Sequence, residues 1–424
     1  SVEQAAVSTL EEPVSRRQWP IYALFLGNTV SNIGDMLTFL AIPWFVLQTT
    51  GSVEQAGITG FFSALPTVLS AFFGSVVVDR LGYKRTSVLG DILCGLTVML
   101  VPLLYHTVGL AFWQLLALVF LGGLLRSPAN TARWSLVPDL AKLADMRLER
   151  ANAWNDGSRR GANFFGAPLA GMLIAVIGTS NLLWLDAASF AFSALLIGLA
   201  VPSLAPRRGV DAPGKSPRGY FAALGEGLRF IRLDGVILTI ILVVMVTNMV
   251  DDAYSSVVAP AYVMSTFHSA VPLGMMISVF GGMAFLGAAI FGVVGHRFPR
   301  RLTFGIGFII GGALRFWVLL FAALPLILGW YALAGLAIGP INSLLSTTFQ
   351  ERIPPTMRAR TYGLLDASTM GAMPLGTFAS GFVVTWLGLR TTLIAMSVLY
   401  LLATLSILVN PALKQMNRVA AEQV

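Results

Sequence analysis

Apolar residues fall along this chain in runs of twenty or so, separated by short polar loops. The runs lie at about 20–48, 55–78, 86–105, 110–137, 150–177 and 182–202. After a polar stretch they resume at about 235–265, 272–295, 302–323, 327–350, 360–387 and 391–410. A helix needs about 20 apolar residues to cross a bilayer. Strands of a membrane barrel would be about half as long and would alternate. The pattern therefore predicts an all-α polytopic membrane protein with twelve transmembrane helices. The expected boundaries are an N-terminal tail at 1–18, a six-helix bundle at 19–202, a linker at 203–234, a second bundle at 235–410 and a C-terminal tail at 411–424.

Polar positions inside the apolar runs change that picture most. Gly27 to Leu47 holds Asn28, Asn32 and Asp35, which share one helical face with Phe39. A related stretch, VTNMVDDAYSSVVAPAYVM, carries Asn248, Asp251 and Asp252. Asn32 and Ser52 correspond to Asn248 and Ser269, and Pro128 and Asn130 to Pro340 and Asn342. Arg150, Asp156, Gly166, Gly171 and Gly178 recur as Arg360, Asp366, Gly376, Gly381 and Gly388, all at one constant displacement. The halves are repeats, so two pseudo-symmetric six-helix bundles are expected, as in alternating-access transporters.

Composition excludes a soluble core. The 424 residues are 56% hydrophobic and 11% charged, against roughly 25% charged in soluble domains. The net charge of +8 is spread over short loops and forms no nucleic-acid patch. Lys and Arg crowd the loops after helices 2, 4, 8 and 10, the linker and both tails; the opposite loops hold only Arg390. Both termini are therefore expected on the cytoplasmic face of a bacterial plasma membrane. The N-terminus lacks the apolar core of a signal peptide. The linker ends in YFAALGEGLRFIRLDG, which reads as an amphipathic surface helix. Cys94 is the single cysteine and the three histidines are far apart, so neither a disulfide framework nor a metal site is expected.

Ionisable groups at membrane depth are costly and mark function. Asp35 is the first candidate proton carrier, with Asp251 and Asp366 behind it. Asp251 is preferred to Asp252 for the cavity face because it sits in helical register with Asn248 and Ser255. Substrate contact is expected from Asn28, Asn32, Phe39, Asn130, Asn248, Asp252 and Tyr254, with Trp44 and Met249 nearby. Arg126 and Arg133 stay charged and need carboxylates; Arg126 is the suspected partner of Asp35. Asp156 and Arg160 are expected to pair with each other. Asp91 and Asp186 read as packing residues, and Arg315 has no evident role.

Gly74 to Arg85 reads GSVVVDRLGYKR. Asp79, Arg80, Gly82, Lys84 and Arg85 in it resemble the signature loop of the major facilitator superfamily, although Gly74 stands one residue early. The resemblance implies a gate in which Asp79 caps a helix of the other half, with Gly82 permitting the turn. Gly161, Gly166, Pro168 and Gly171 in helix 5 are similar to the glycine–proline motif of proton-coupled drug exporters, here with Ala167 between glycine and proline. Leu125 to Trp154, Gly34-Asp35, Leu185-Asp186-Ala-Ala-Ser-Phe and Glu226-Gly-Leu-Arg-Phe resemble one exporter branch. That branch holds macrolide pumps, enterobactin exporters and the mycobacterial Tap-type tetracycline and aminoglycoside pump, and the Tap type is the nearest match.

No nucleotide-binding loop, ligand cluster or nucleophile–base pair is visible, so neither an enzyme nor an ATP-driven pump is expected. The expectation is a monomeric antiporter with no cofactor, driven by a proton gradient, exporting amphiphilic cationic drugs. The rivals are export of an endogenous siderophore or lipid, and uptake by a symporter or facilitator.

Overall fold

The computed structural model describes residues 18–203, 228–229, 231–353 and 358–410. The tails and most of the linker helix lie outside the described residues, as do the side chains of Asp79 and Asp366. Among the described residues the chain is helical and has no strand. In lipid every backbone amide must find its partner within the chain, and a helix does so locally. The first half runs α1 (Trp19–Thr50), α2 (Val53–Leu81), α3 (Tyr83–Thr107), α4 (Phe112–Leu143), α5 (Leu148–Ile177) and α6 (Thr179–Ala200). The second runs α7 (Gly235–Phe267), α8 (Val271–Val294), α9 (Arg300–Phe321), α10 (Leu324–Arg352), α11 (Arg358–Met370) and α12 (Met373–Val409). Ten stretches among the described residues are long and apolar enough to span a membrane. The last of them, Ala367–Val409, has 43 residues and is bent at Gly388, where φ is 78°. At ~1.5 Å per residue it suffices for two crossings.

The internal repeat is visible in the backbone. Gly51 ends α1 with φ 64°, and His268 ends α7 at the corresponding place with φ 53°. Gly178 and Gly388, mates in the repeat, hold φ 81° and 78° at the turns that follow α5 and divide α12. Two departures occur in the second half only. A π turn at Tyr254–Val258 interrupts α7, and another at Ile309–Ala313 interrupts α9. Such turns insert a residue and rotate everything beyond them.

The halves meet at the end away from the chain termini, through glycines. A Cβ on Gly171 of α5 would stand 2.7 Å from the Ala270 carbonyl at the start of α8. A Cβ on its mate Gly381 in α12 would stand 2.9 Å from the Val53 carbonyl at the start of α2. Gly57 of α2 faces Gly381 backbone to backbone, and Gly274 of α8 faces Ala167 and Pro168 of α5. Ser278 of α8 donates to the Phe164 carbonyl at 2.6 Å. Small residues let helices approach closely in lipid, where packing supplies most of the attraction. One apolar core, from Leu37 to Leu47 of α1 to Val250 to Val263 of α7, continues across this junction.

Candidate functional site

A cavity of about 430 Å³ opens beneath that junction. Its walls come from the junction-side halves of α1, α2, α3 and α4, from Asp252 and Ser256 of α7, and from the break between α11 and α12. Most of the lining is apolar or hydroxylic: Phe39, Ile42, Thr59, Ser63, Val98, Leu118 and the thioethers of Met370 and Met373. Two charged residues reach it, Arg126 from α4 and Asp252 from α7.

Arg126 Nη2 lies 2.8 Å from Asp35 Oδ1. The pair is half-buried, with Arg126 on the cavity wall and Asp35 behind it. The guanidinium also stacks over the Phe190 ring of α6, 5.4 Å from its centroid. Asp252 has no cation beside it among the described residues; its Oδ2 accepts a hydrogen bond of 2.5 Å from Thr377. The cavity therefore carries one uncompensated acidic group opposite a neutralised ion pair.

The second half has its own pair, and it is built differently. Arg315 of α9 contacts Asp251, whose Oδ2 accepts a hydrogen bond of 3.2 Å from the Tyr400 hydroxyl. Arg315 is 7% exposed and surrounded by the rings of Tyr254, Phe280 and Phe316, at 5.1, 4.9 and 5.2 Å from their centroids. Tyr254 also shares a hydrogen bond with Tyr331 of α10.

These placements correct several expectations. Asp252, with Ser256, faces the cavity, while Asp251 is drawn to Arg315. The register argument took Asn248 as a cavity residue, but Asn248 turns to α11, and the cavity face of α7 runs through Asp252 and Ser256, one residue further round the helix. Tyr254 is a ring of the Arg315 cage and not a cavity residue. Asn28 turns to α5, donating to Asn155 Oδ1 at 3.3 Å. Asn248 donates to the Thr369 carbonyl at 3.3 Å. Neither these two nor the half-buried Asn32 and Asn130 line the cavity. Trp44 is buried, and Met249 packs on Gly376. Asp156 lies 4.0 Å from Arg159, not Arg160, which stacks over Phe285 of α8.

Of the remaining candidates, Arg133 ion-pairs with Asp91 of α3 and donates to Ser31 and Ser87, each at 3.3 Å. This group braces α1, α3 and α4 below the cavity. Gly82 caps α2 with φ 78°, its N–H bonded to the Val78 carbonyl at 2.9 Å. Arg80 and Arg85 are exposed and Lys84 is half-buried. Gly166 packs on Met36 of α1, whereas Gly161 faces open space.

Two residues that read as bystanders in the sequence join these charge clusters: Arg315, and Asp186 of α6. Asp186 is fully buried beside Asp35 and Arg126. Thr38 of α1 donates to its Oδ2, and Ser189 to its Oδ1 at 3.1 Å. The carboxylate occupies the space a side chain at Gly34 would fill. The signal was present in Gly34-Asp35, a glycine beside a buried charge, but its partner helix was not.

The description "Major Facilitator Superfamily" belongs to a family model that matches this chain twice, over residues 24–251 and 240–423. A multidrug efflux pump, Tap, of Mycolicibacterium fortuitum is 28% identical over 406 residues, covering 95% of this chain and 98% of that one. Among solved structures, the nucleoside transporter NupG aligns with TM-score 0.71 at 14% identity, covering 92% of this chain and 98% of that one. A bacterial homolog of the human lysosomal transporter Spinster, inward-facing and unoccupied, aligns with TM-score 0.69 at 16% identity, covering 97% and 99%. With twin matches across both halves, a shared transporter fold and a central cavity at membrane depth, the chain belongs to the major facilitator superfamily and is a multi-pass membrane transporter.

Proposed function

We propose that this transporter exports amphiphilic cationic drugs from the cytoplasm in exchange for protons, by alternating access. The observation that carries the reading is the cavity itself: an apolar, Met- and Phe-lined space with one uncompensated carboxylate, Asp252, facing the Asp35–Arg126 pair. Apolar walls suit an amphiphile, and thioethers adapt to varied shapes. Asp252 supplies the attraction for positive charge. Similarity over nearly the full length to the multidrug efflux pump Tap supports drug export over the rival cargoes, a siderophore or a lipid. It equally disfavours uptake.

Asp35 is the coupling carboxyl. While ion-paired with Arg126 its charge is compensated; a proton or a substrate cation competes for it and alters which arrangement of the two bundles is stable. Glycine-mediated packing at the end away from the termini fits a state entered from the terminal end. The crowding of Lys and Arg in the loops at that end supports a cytoplasmic orientation for it. Tetracyclines, aminoglycosides and macrolides define the range of cargo to try first.

Counterflow in proteoliposomes tests this. An imposed pH gradient drives uphill movement of a cationic dye or tetracycline, and Asp35→Asn abolishes the drive while the protein still folds. Transport that is indifferent to the gradient would sink antiport. An Asp35→Asn variant with full drive would sink the assignment of Asp35.

A further inference from the structure

Asp35, Arg126 and Asp186 place two carboxylates and one guanidinium in one buried neighbourhood. α1 contributes Asp35 and the Thr38 hydroxyl, α3 the Cys94 thiol, α4 Arg126, and α6 Asp186 with Ser189. Arg126 is bonded to Asp35. Asp186 has no cation within ion-pair distance among the described residues and receives only the hydroxyls of Thr38 and Ser189. If both carboxyls were ionised, one negative charge would stand uncompensated at a residue with no exposed surface. A bound proton removes that cost.

Arg126 is also prepared for a second partner. Its Nε is buried and makes no hydrogen bond. Its guanidinium already stacks over Phe190, which lies one helical turn beyond Asp186 on α6. Thr38 touches Asp186 and at the same time lines the cavity, so a hydroxyl stands between the buried carboxyl and the space a substrate enters.

We infer that Asp186 holds the exchangeable proton in this state, and that Arg126 switches from Asp35 to Asp186 when a substrate cation arrives. This rests on the antiport reading above and assigns the proton to a different residue from the one that senses the cation. A cation in the cavity is held by Asp252 and repels Arg126 from the wall. Arg126 moves to Asp186, the O–H bond of its carboxyl breaks, and the electron pair stays on the carboxylate. The proton leaves past Thr38 to the cavity. Asp35, released from Arg126, faces the cation. One positive charge enters as one leaves, and both carboxylates end up paired.

The test is proton release from the purified full-length protein in weakly buffered detergent solution on adding tetraphenylphosphonium. Wild type releases about one proton per bound cation. Asp186→Asn gives Arg126 no second carboxylate, so it binds the cation more weakly and releases no proton. In proteoliposomes that variant keeps cation–cation exchange and loses uphill transport, and Asp186→Glu restores part of both release and drive. Thr38→Val keeps the stoichiometry but slows release at least tenfold; should Asp186→Asn not fold, this variant decides, and an unchanged rate overturns the proposal. Undiminished proton release in a folded Asp186→Asn also overturns it while leaving antiport intact. A wild-type protein that releases no proton and ignores a pH gradient overturns antiport itself.

Discussion

The two halves each set an aspartate of the leading helix against an arginine, yet the pairs do different work. In the first half, Arg126 reaches Asp35 from α4, with 31% of its side chain exposed, on the wall of the cavity. In the second, Arg315 reaches Asp251 from α9, the counterpart of α3; the guanidinium is ringed by three aromatic side chains, while Asp251 keeps 36% of its side chain exposed. The first pair has a neighbour, Asp186, that can take over the arginine. The second is tied down by the Tyr400 hydroxyl and flanked by π turns in both contributing helices. Duplication thus preserved the backbone scaffold and its glycine turns, while the charges were repartitioned: one half holds a group free to switch, and the other holds a brace. Burial of the arginine explains the division. Arg126 has room and a second carboxylate nearby, whereas Arg315, ringed by aromatics, would be left as a bare buried charge if it parted from Asp251.

Stability measurements should split the halves most sharply. Asp251→Ala strands a buried guanidinium, and thermal unfolding in detergent should show a loss of about 3–5 kcal/mol. Asp35→Asn leaves a partly wetted arginine and should cost about 1 kcal/mol or less; equal losses would erase the distinction between the halves. Gly34→Ala pushes a methyl into the Asp186 carboxylate and Ser189. It should destabilise by about 1–3 kcal/mol as an overpacked site does, and uphill transport should fall further than stability. Asp252→Asn should weaken tetraphenylphosphonium binding about tenfold, or ~1.4 kcal/mol, by isothermal titration, with the unfolding temperature unmoved. Smallest is Tyr400→Phe, which removes one hydrogen bond to Asp251. A loss of about 1 kcal/mol with proton release unchanged would mark the second pair as structural; altered release would make it part of the coupling.

Much of the architecture is legible in the sequence because lipid forbids alternatives. A run such as Tyr83–Thr107 has no choice but to be a helix, and the constant displacement from Arg150–Gly178 to Arg360–Gly388 betrays the repeat without any tertiary information. The site is less legible. A straight 3.6-residue period puts Asp35 within reach of Arg126 on the cavity wall but misassigns Asp251, because its reference residue Asn248 turns to α11. Asp186 reads as packing because its chemistry lies in what surrounds it: Thr38 and Arg126 are distant in sequence. Arg315 reads as purposeless for the same reason, its carboxylate being on another helix.

Hydrophobic period, loop charge and repeated glycines are local properties, and they were enough to determine twelve passes, two related halves and a polar face on α1. Which carboxylate faces the cavity, which arginine each one meets and whether that pair is enclosed or free to exchange were decided only when helices distant in sequence packed together. Those outcomes depend on a rotation of about 100° per residue, so which of the adjacent Asp251 and Asp252 meets the cavity and which meets Arg315 turns on how one helix is rotated against its neighbours.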